Sequence, residues 1–198
     1  MFTGIIEKQG IIKQVIEKGG NRSFWIESPL SPKLKVDQSV SHDGVCLTVE
    51  EVKSGKHRVT AIAETLSKTT LGSWEKGKKV NLERCLKMNG RLDGHFVQGH
   101  VDGRGTCILR EEKDGSWLYR FQFDPAFAPL IIEKGSITVS GISLTAFHVT
   151  RNSFEVAIIP FTFKHTNISE VMAESLVNLE FDVIGKYLLR KSDLSAIE

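Results

Sequence analysis

The sequence predicts an all-β protein, two small barrels in tandem followed by one short helix. Three observations carry that expectation. The chain repeats itself once, its apolar runs are short and broken by turn residues, and its last segment falls outside the repeat with helical spacing. Displaced by 97 residues, Ser39–Glu83 lies on Ser136–Glu180 without a gap, and 13 of the 45 pairs are identical. Ordinary composition would give roughly three such matches. Gly44-Val45-Cys46-Leu47-Thr48 falls on Gly141-Ile142-Ser143-Leu144-Thr145, and Val80-Asn81-Leu82-Glu83 on Val177-Asn178-Leu179-Glu180. At a displacement of 95, Gly4 and Gly10 meet Gly99 and Gly105. The second copy therefore carries a two-residue insertion between Gly105 and Ser136, for which the polar stretch Arg110–Ser116 is the natural place. So long a period is a domain duplication and not a solenoid. The junction is expected at the polar, glycine-bearing Met88–Gly94, with units 1–94 and 95–182 and a tail 183–198.

Along the first copy, Gly10–Val15, Ser23–Glu27, Cys46–Val49 and Arg58–Ile62 are rich in β-branched and aromatic residues with partial alternation, as strands are. Lys53–Lys56 reads as a hairpin turn and Ser31–Leu34 as a short helix. The second copy offers Leu118–Phe123, Ile137–Val139 and Phe154–Ile159 as strands, Thr150–Ser153 as a turn and Pro125–Leu130 as a short helix. Many short strands with little helix imply a sandwich or a barrel, and closure into a barrel removes exposed edges. After the repeat, Asp182 can cap a helix whose Ile184, Tyr187 and Leu188 share one face. That face packs either on the second barrel or on the same helix of another chain.

Composition excludes several function classes. With 26 basic against 24 acidic side chains the net charge is +2, so no nucleic-acid footprint is expected. Cys46, Cys85 and Cys107 are odd in number and never spaced C-x-x-C, against a disulfide framework or a zinc ribbon. No apolar stretch approaches the ~20 residues of a membrane span. The N-terminus lacks a basic segment followed by an apolar run, so a cytoplasmic protein without membrane contact is expected. Gly99–Gly105 is glycine-rich but lacks the dinucleotide spacing, and no G-x-S-x-G elbow occurs. His95 and His100 lack the companions of a zinc set, so no metal is expected.

The duplicated polar segments remain. In a strand Cys46 and Thr48 share one face, as do Ser143 and Thr145, while Leu47 and Leu144 point to the core. A small polar pair beside a close-approach glycine suits the edge of a flat heterocycle. The copies differ where chemistry is expected: Ile5 corresponds to His100, Cys46 to Ser143, Ala63-Glu64 to Pro160-Phe161 and Lys68 to His165. His100, between glycines, is the outstanding candidate for proton transfer, since imidazole is the side chain suited to that role near neutrality.

Met1-Phe2-Thr3-Gly4-Ile5-Ile6-Glu7, Gly44–Val49, Gly94–Gly103 and Gly141–Thr145 together resemble the riboflavin synthase family of the duplicated-barrel type, in order and over the whole chain. The resemblance implies two six-stranded Greek-key barrels, a homotrimer held by the C-terminal helix, and a dismutation without metal or redox cofactor. In that reaction one 6,7-dimethyl-8-ribityllumazine donates a four-carbon unit to a second, giving riboflavin and 5-amino-6-(ribitylamino)uracil. Carried over, contacts in the first copy come from Gly4, Ile5 and Ile6, from Cys46, Leu47 and Thr48, and from Thr60, Ala61, Ile62, Ala63, Glu64 and Thr65. In the second they come from Gly99, His100 and Val101, from Lys134, from Ser143, Leu144 and Thr145, and from Ala157, Ile158, Ile159, Pro160, Phe161 and Thr162. Phe161 departs from the family, which often has Glu or His there, and His42-Asp43 stands where a small residue and Asn are common. His100 is the candidate base, with Ser143 and Thr145 as polar positioners; Cys46 either adds to the ring as a nucleophile or lines the pocket. The rival reading is a lumazine- or flavin-carrying antenna or storage protein. Whether the protein associates with lumazine synthase is left open by the sequence.

Overall fold

The computed structural model describes residues 1–195. The first copy forms β1 (Lys8–Lys18), β2 (Asn21–Glu27), β3 (Ser39–His42), β4 (Val45–Thr48), β5 (Glu51–Lys53), β6 (Lys56–Ala61) and β7 (Lys79–Arg84). The second forms β8 (Gly103–Lys113), β9 (Ser116–Gln122), β10 (Ser136–Val139), β11 (Ile142–Thr145), β12 (Ser153–Ile158) and β13 (Leu176–Phe181). Two short helices, α1 (Ala63–Lys68) and α2 (Pro160–His165), sit at equivalent places, and α3 (Val183–Ser195) follows the repeat. The expected tail continues to residue 198, and 196–198 lie outside the described residues.

Each copy is one antiparallel sheet, ordered β4-β3-β7-β1-β2-β6-β5 in the first and β11-β10-β13-β8-β9-β12 in the second. Strand β4 comes back against β6, and β11 against β12, so each sheet curls round its own core. The short β5 makes a seventh strand in the first copy. Its counterpart in the second is reduced to a single bridge, Phe147 to Glu155. Helices α1 and α2 were not foreseen. Their six residues are too few for a helical period, and Ile62 and Ile159, extended, simply end the preceding strands.

Strand register corrects the position of the insertion. Gln14 faces Trp25 beyond a bulge in β1, and Leu109 faces Arg120 beyond the matching bulge in β8, both displaced by 95. Arg22 faces Ala61 as Trp117 faces Ile158, so the displacement is 95 on β9 and 97 on β12. The two extra residues therefore lie between Gln122 and Ser136. There a 3-10 turn of three residues (Ser31–Lys33) becomes one of six (Pro125–Leu130). Arg110–Ser116 belongs to an uninterrupted hairpin and is not the insertion.

The two cores are separate. Phe24, Ile26, Val40, Leu47, Leu71, Trp74 and Leu82 fill the first, and Tyr119, Phe121, Ile137, Phe154, Ile168 and Phe181 the second. Full burial of such side chains is worth about 2 kcal/mol each before the cost of ordering them. Between the barrels runs an approximate two-fold built from repeated residues. Phe2 and Val97 exchange both backbone hydrogen bonds (2.7 and 3.1 Å). Asn81 donates to Ser140 O (3.0 Å) and Asn178 to Asp43 O (2.8 Å). Their carboxamide oxygens accept in turn from Asn167 N (2.8 Å) and Thr70 N (2.7 Å). The repeated Asn thus holds barrel to barrel.

Candidate functional site

The short β4 and β11 present the repeated polar pairs. Leu47 enters the first core and Leu144 packs on the second, while Cys46 and Ser143 are half-buried and Thr48 and Thr145 exposed. The alternation foreseen for these segments holds. The partners of these pairs do not lie where the sequence grouped them. Cys46 N donates to Gly99 O (2.9 Å), and Ser143 N donates to Gly4 O (2.8 Å). Val101 packs on the first core and Ile6 on the second. The segment 1–6 therefore runs beside the second barrel's β11, and 97–101 beside the first barrel's β4. Grouping Gly4, Ile5 and Ile6 with the first copy, and Gly99, His100 and Val101 with the second, is corrected to this exchange. Its cause is the Phe2–Val97 bridge, where the two segments cross. Glycine is required at both crossings. Gly4 (φ 77°) and Gly99 (φ 80°) are left-handed, and a Cβ would lie 2.6 Å from Ser143 Cβ and 2.7 Å from Cys46 Cβ respectively.

Two half-sites result. The first gathers Cys46 and Thr48, the end of β6, the start of α1 and the Gly99–Val101 turn. Ala61 is buried in the core and the Thr60 hydroxyl bonds Ser23 (2.8 Å), so neither points freely outward. Ile62, Ala63 and Glu64 are exposed, and Glu64 pairs with Lys68 one helical turn on (3.0 Å). Thr65 is half-buried, and its carbonyl accepts from Thr69 N and Oγ1. Burial pushes the Cys46 thiol up, which disfavours the thiolate a nucleophile needs.

The second half-site gathers Ser143 and Thr145, the Gly4–Ile6 segment, Lys134 and the start of α2. Ile158 is buried, whereas Ala157, Ile159, Pro160 and Phe161 are exposed and Thr162 half-buried. Where the first copy has the Glu64–Lys68 ion pair, Phe161 stacks on His165 at 4.1 Å. Lys134 (φ 62°) stands just before Ser136, the partner of Thr145, with its ammonium 4.9 Å from the Phe147 ring centre. Asp37 (φ 66°) occupies the equivalent turn of the first copy, so the charge there is reversed.

His100 is exposed on the turn lining the first half-site. The Ser143 hydroxyl is instead 2.7 Å from Nδ1 of His95, whose Nε2 lies 3.1 Å from the Thr138 hydroxyl. His95 is buried, and burial pushes its imidazolium down, so the ring stays neutral. The one sequence signal for His95 as a site residue is its place in the Gly94–Gly103 segment. For Glu83 and Glu180 the signal is the Val-Asn-Leu-Glu run, identical in both copies. No group of three or more metal-ligating side chains is assembled among the described residues. No described helix is long and apolar enough to cross a membrane.

The family model described as "Lumazine binding domain" matches twice, over residues 3–85 and 98–182. The chain is 40% identical over 191 residues to a riboflavin synthase of Bacillus subtilis (strain 168), covering 96% of this chain and 89% of that one. It is 41% identical over 192 residues to that of Actinobacillus pleuropneumoniae, covering 95% and 88%. For Mycobacterium tuberculosis (strain ATCC 25618 / H37Rv) the figures are 38% over 201 residues, 96% and 97%. Among solved structures, LumP complexed with riboflavin superposes with a TM-score of 0.86 at 21% identity, over 91% of this chain and 99% of that one. LumP complexed with 6,7-dimethyl-8-(1'-D-ribityl) lumazine gives 0.83 at 20% identity, over the same shares.

Proposed function

The chain belongs to the riboflavin synthase family, and we propose that it carries out that family's reaction through the two half-sites built above. It is an enzyme of lumazine dismutation: one 6,7-dimethyl-8-ribityllumazine passes a four-carbon unit to a second, yielding riboflavin and 5-amino-6-(ribitylamino)uracil. The transfer balances between two identical molecules, so no oxidant or reductant enters. The observation that carries this reading is that both half-sites are complete. Each has its glycine crossing, its small polar residue, its Leu-Thr pair and its short helix. A carrier of one ligand needs only one of them.

The C7 methyl of the lumazine is acidic because its carbanion delocalises into an electron-poor ring. A positioned base can therefore remove that proton. His100 is the candidate, now assigned to the first half-site beside Cys46, with Cys46 lining the pocket. Ser143, held by His95, and Thr145 and Lys134 are the polar contacts proposed for the second. Holding the two rings face to face supplies much of the rate.

The two half-sites of one chain belong to different barrels, and each has an apolar rim open to solvent: Ile62 is 54% exposed in the first, Ile159 59% and Phe161 68% in the second. We infer that each is closed by the other kind of half-site on a neighbouring subunit, within a homotrimer. Helix α3 supports self-association. Asp182 caps it (3.0 Å to Ile184 N) and Lys186 ties it to Asp102 (2.7 Å), yet Ile184, Tyr187 and Leu188 remain 56, 75 and 64% exposed. The binding units proposed are 1–94 and 95–182, each lending one segment to the other, with 183–198 as the oligomerisation element. A cytoplasmic setting agrees with three free thiols.

Incubation with 6,7-dimethyl-8-ribityllumazine, followed by flavin absorbance and fluorescence, tests the activity. Binding without flavin formation would select the antenna reading. Mixing a chain altered only in the first half-site, at Thr48 and Thr65, with one altered only in the second, at Ser143 and Thr162, tests the shared site. Partial recovery of turnover in mixed oligomers is expected, and no recovery despite verified mixing would exclude it.

A further inference from the structure

Two buried carboxylates hold the crossed segments. Glu83, on β7 of the first barrel, accepts from Thr3 N (2.7 Å), Thr3 Oγ1 (2.6 Å) and Gly4 N (2.9 Å). Glu180, on β13 of the second, accepts from Gln98 N (2.6 Å), Gly99 N (2.9 Å) and His100 N (3.0 Å). The two are 4% and 2% exposed, and neither has an ion-pair partner among the described residues. Each gathers three donors from one turn. The residue that follows the turn's glycine, Ile5 or His100, is delivered to the half-site of the opposite barrel.

We propose that Glu180 is a positioning residue for the first barrel's half-site, and Glu83 for the second's. Each carboxylate holds, from its own barrel, the turn that lines the other barrel's site. The chemistry favours carboxylates here. An ionised carboxylate offers up to four lone-pair sites and forms stronger, shorter bonds to N–H than a neutral amide does. Gln would keep one accepting oxygen and set an NH2 against donors, leaving at least one buried N–H unpaired. The turn would then lose its fixed position while the barrel that supplies the glutamate keeps its own core. Burial pushes both carboxyls up, Glu180 to about 7, against the lowering pull of the donors on each and, on Glu180, of the Lys186 ammonium. Retaining a carboxylate under that penalty agrees with a functional reason for it.

The crossing gives the proposal its test, which rests on the lumazine reading. Cys46 reports the first half-site. Its alkylation by iodoacetamide, followed by mass spectrometry in the full-length protein with and without 6,7-dimethyl-8-ribityllumazine, measures occupancy there. With ligand at about ten times its Kd, wild type should be protected roughly tenfold. Glu180→Gln should weaken binding about tenfold and so leave roughly twofold protection at that ligand concentration. Glu83→Gln should keep the full protection of Cys46 yet lose turnover, because its damage falls on the second half-site. Should Glu180→Gln not fold, Glu180→Asp, which keeps the charge and withdraws it by one methylene, puts the same question. Thr3→Val, which removes the hydroxyl that donates to Glu83 and accepts from Ile5 N (3.2 Å), should lower turnover in the same sense as Glu83→Gln and leave Cys46 protection intact. Equal protection in Glu180→Gln and wild type, or loss of protection in Glu83→Gln, would overturn the crossed assignment while wild-type protection still upholds the binding reading. A wild-type chain whose Cys46 lumazine does not shield would overturn the reading and the proposal together.

Discussion

The two barrels share a chain path and differ in what fills them. In the first, a buried polar chain crosses the core: Ser31 Oγ lies 2.8 Å from His57 Nδ1, His57 Nε2 lies 2.9 Å from His42 Nε2, and His42 Nδ1 lies 3.0 Å from Val40 O. The carbonyl can only accept, so His42 Nδ1 donates and its Nε2 accepts from His57. The Ser31 hydroxyl then donates to His57 Nδ1, and every site is satisfied with both rings neutral. In the second barrel the counterparts of His42 and His57 are Val139 and Phe154, within an aromatic cluster of Phe121, Phe123 and Phe181. The same path thus accepts a satisfied polar chain or a greasy one. Among the residues the copies keep in common, three pairs lie on the two-fold: Gly44 and Gly141, Asn81 and Asn178, Glu83 and Glu180. The glycines and asparagines join barrel to barrel, and Glu83 and Glu180 hold the exchanged segments that both half-sites need.

If that axis matters more than either core, its glycines should be the costliest positions to alter, and equally so. At Gly44 a Cβ would lie 2.9 Å from Gly141 N, and at Gly141 2.7 Å from Gly44 N, both at φ 83°. Strain and overpacking together predict a loss of about 3 kcal/mol for Gly44→Ala and for Gly141→Ala in urea unfolding. A much smaller loss at one of them would break the symmetry claimed.

The next effect separates the cores. Burial pushes His57 down to about 4 and His42 well below its ordinary value, His57 adding to the effect on His42. The unfolded chain takes up protons at these imidazoles near 6.5, and the folded barrel does not. Stability therefore falls as pH drops from 6.5 toward 4, by about 2 kcal/mol at pH 5 from His57 alone. Replacing the pair with the second barrel's residues, His42→Val with His57→Phe, should raise stability relative to wild type by at least that amount between pH 7 and pH 5, because His42 adds to the loss in the same sense. Asp43, pushed up to about 6, and Glu180 act in the opposite sense, because the folded state takes up their protons first. Both are present in both proteins, so the difference isolates the imidazoles. An unchanged difference across this range would mean the pair is not what makes the first barrel sensitive to acid.

Catalysis should divide the half-sites more modestly. His100→Ala and Ser143→Ala are each expected to lower turnover on the order of tenfold, and Cys46→Ser by less. The reverse order, with Cys46 essential and His100 dispensable, would return the nucleophile role to the thiol. The smallest effect concerns the strand ends. Arg84 is fixed by Glu7 (2.6 Å), whereas the corresponding Asp102 caps Phe181 N (2.8 Å) and holds Lys186 of α3. Arg84→Ala should cost under about 1 kcal/mol, since the pair is part-exposed. Lys186→Ala should leave the monomer equally stable but loosen self-association in sedimentation.

Much of this was legible in the residues. The duplication, the strand-rich character, Leu47 and Leu144 turned inward, and the helix from Asp182 follow from repetition and local periodicity, which neighbouring residues on one strand or helix set among themselves. What the sequence could not contain is which copy each segment serves. Gly4 resembles Gly99 whether it lies on its own barrel or on the other, and only the Phe2–Val97 bridge decides. The same holds for Ser143, which takes His95 and not His100 as its partner, and for the insertion, moved by strand register from Arg110–Ser116 to the turn after Gln122. Local pattern determines the element a residue joins. Long-range pairing, paid for in chain entropy and decided by the whole packed structure, determines whose site it completes.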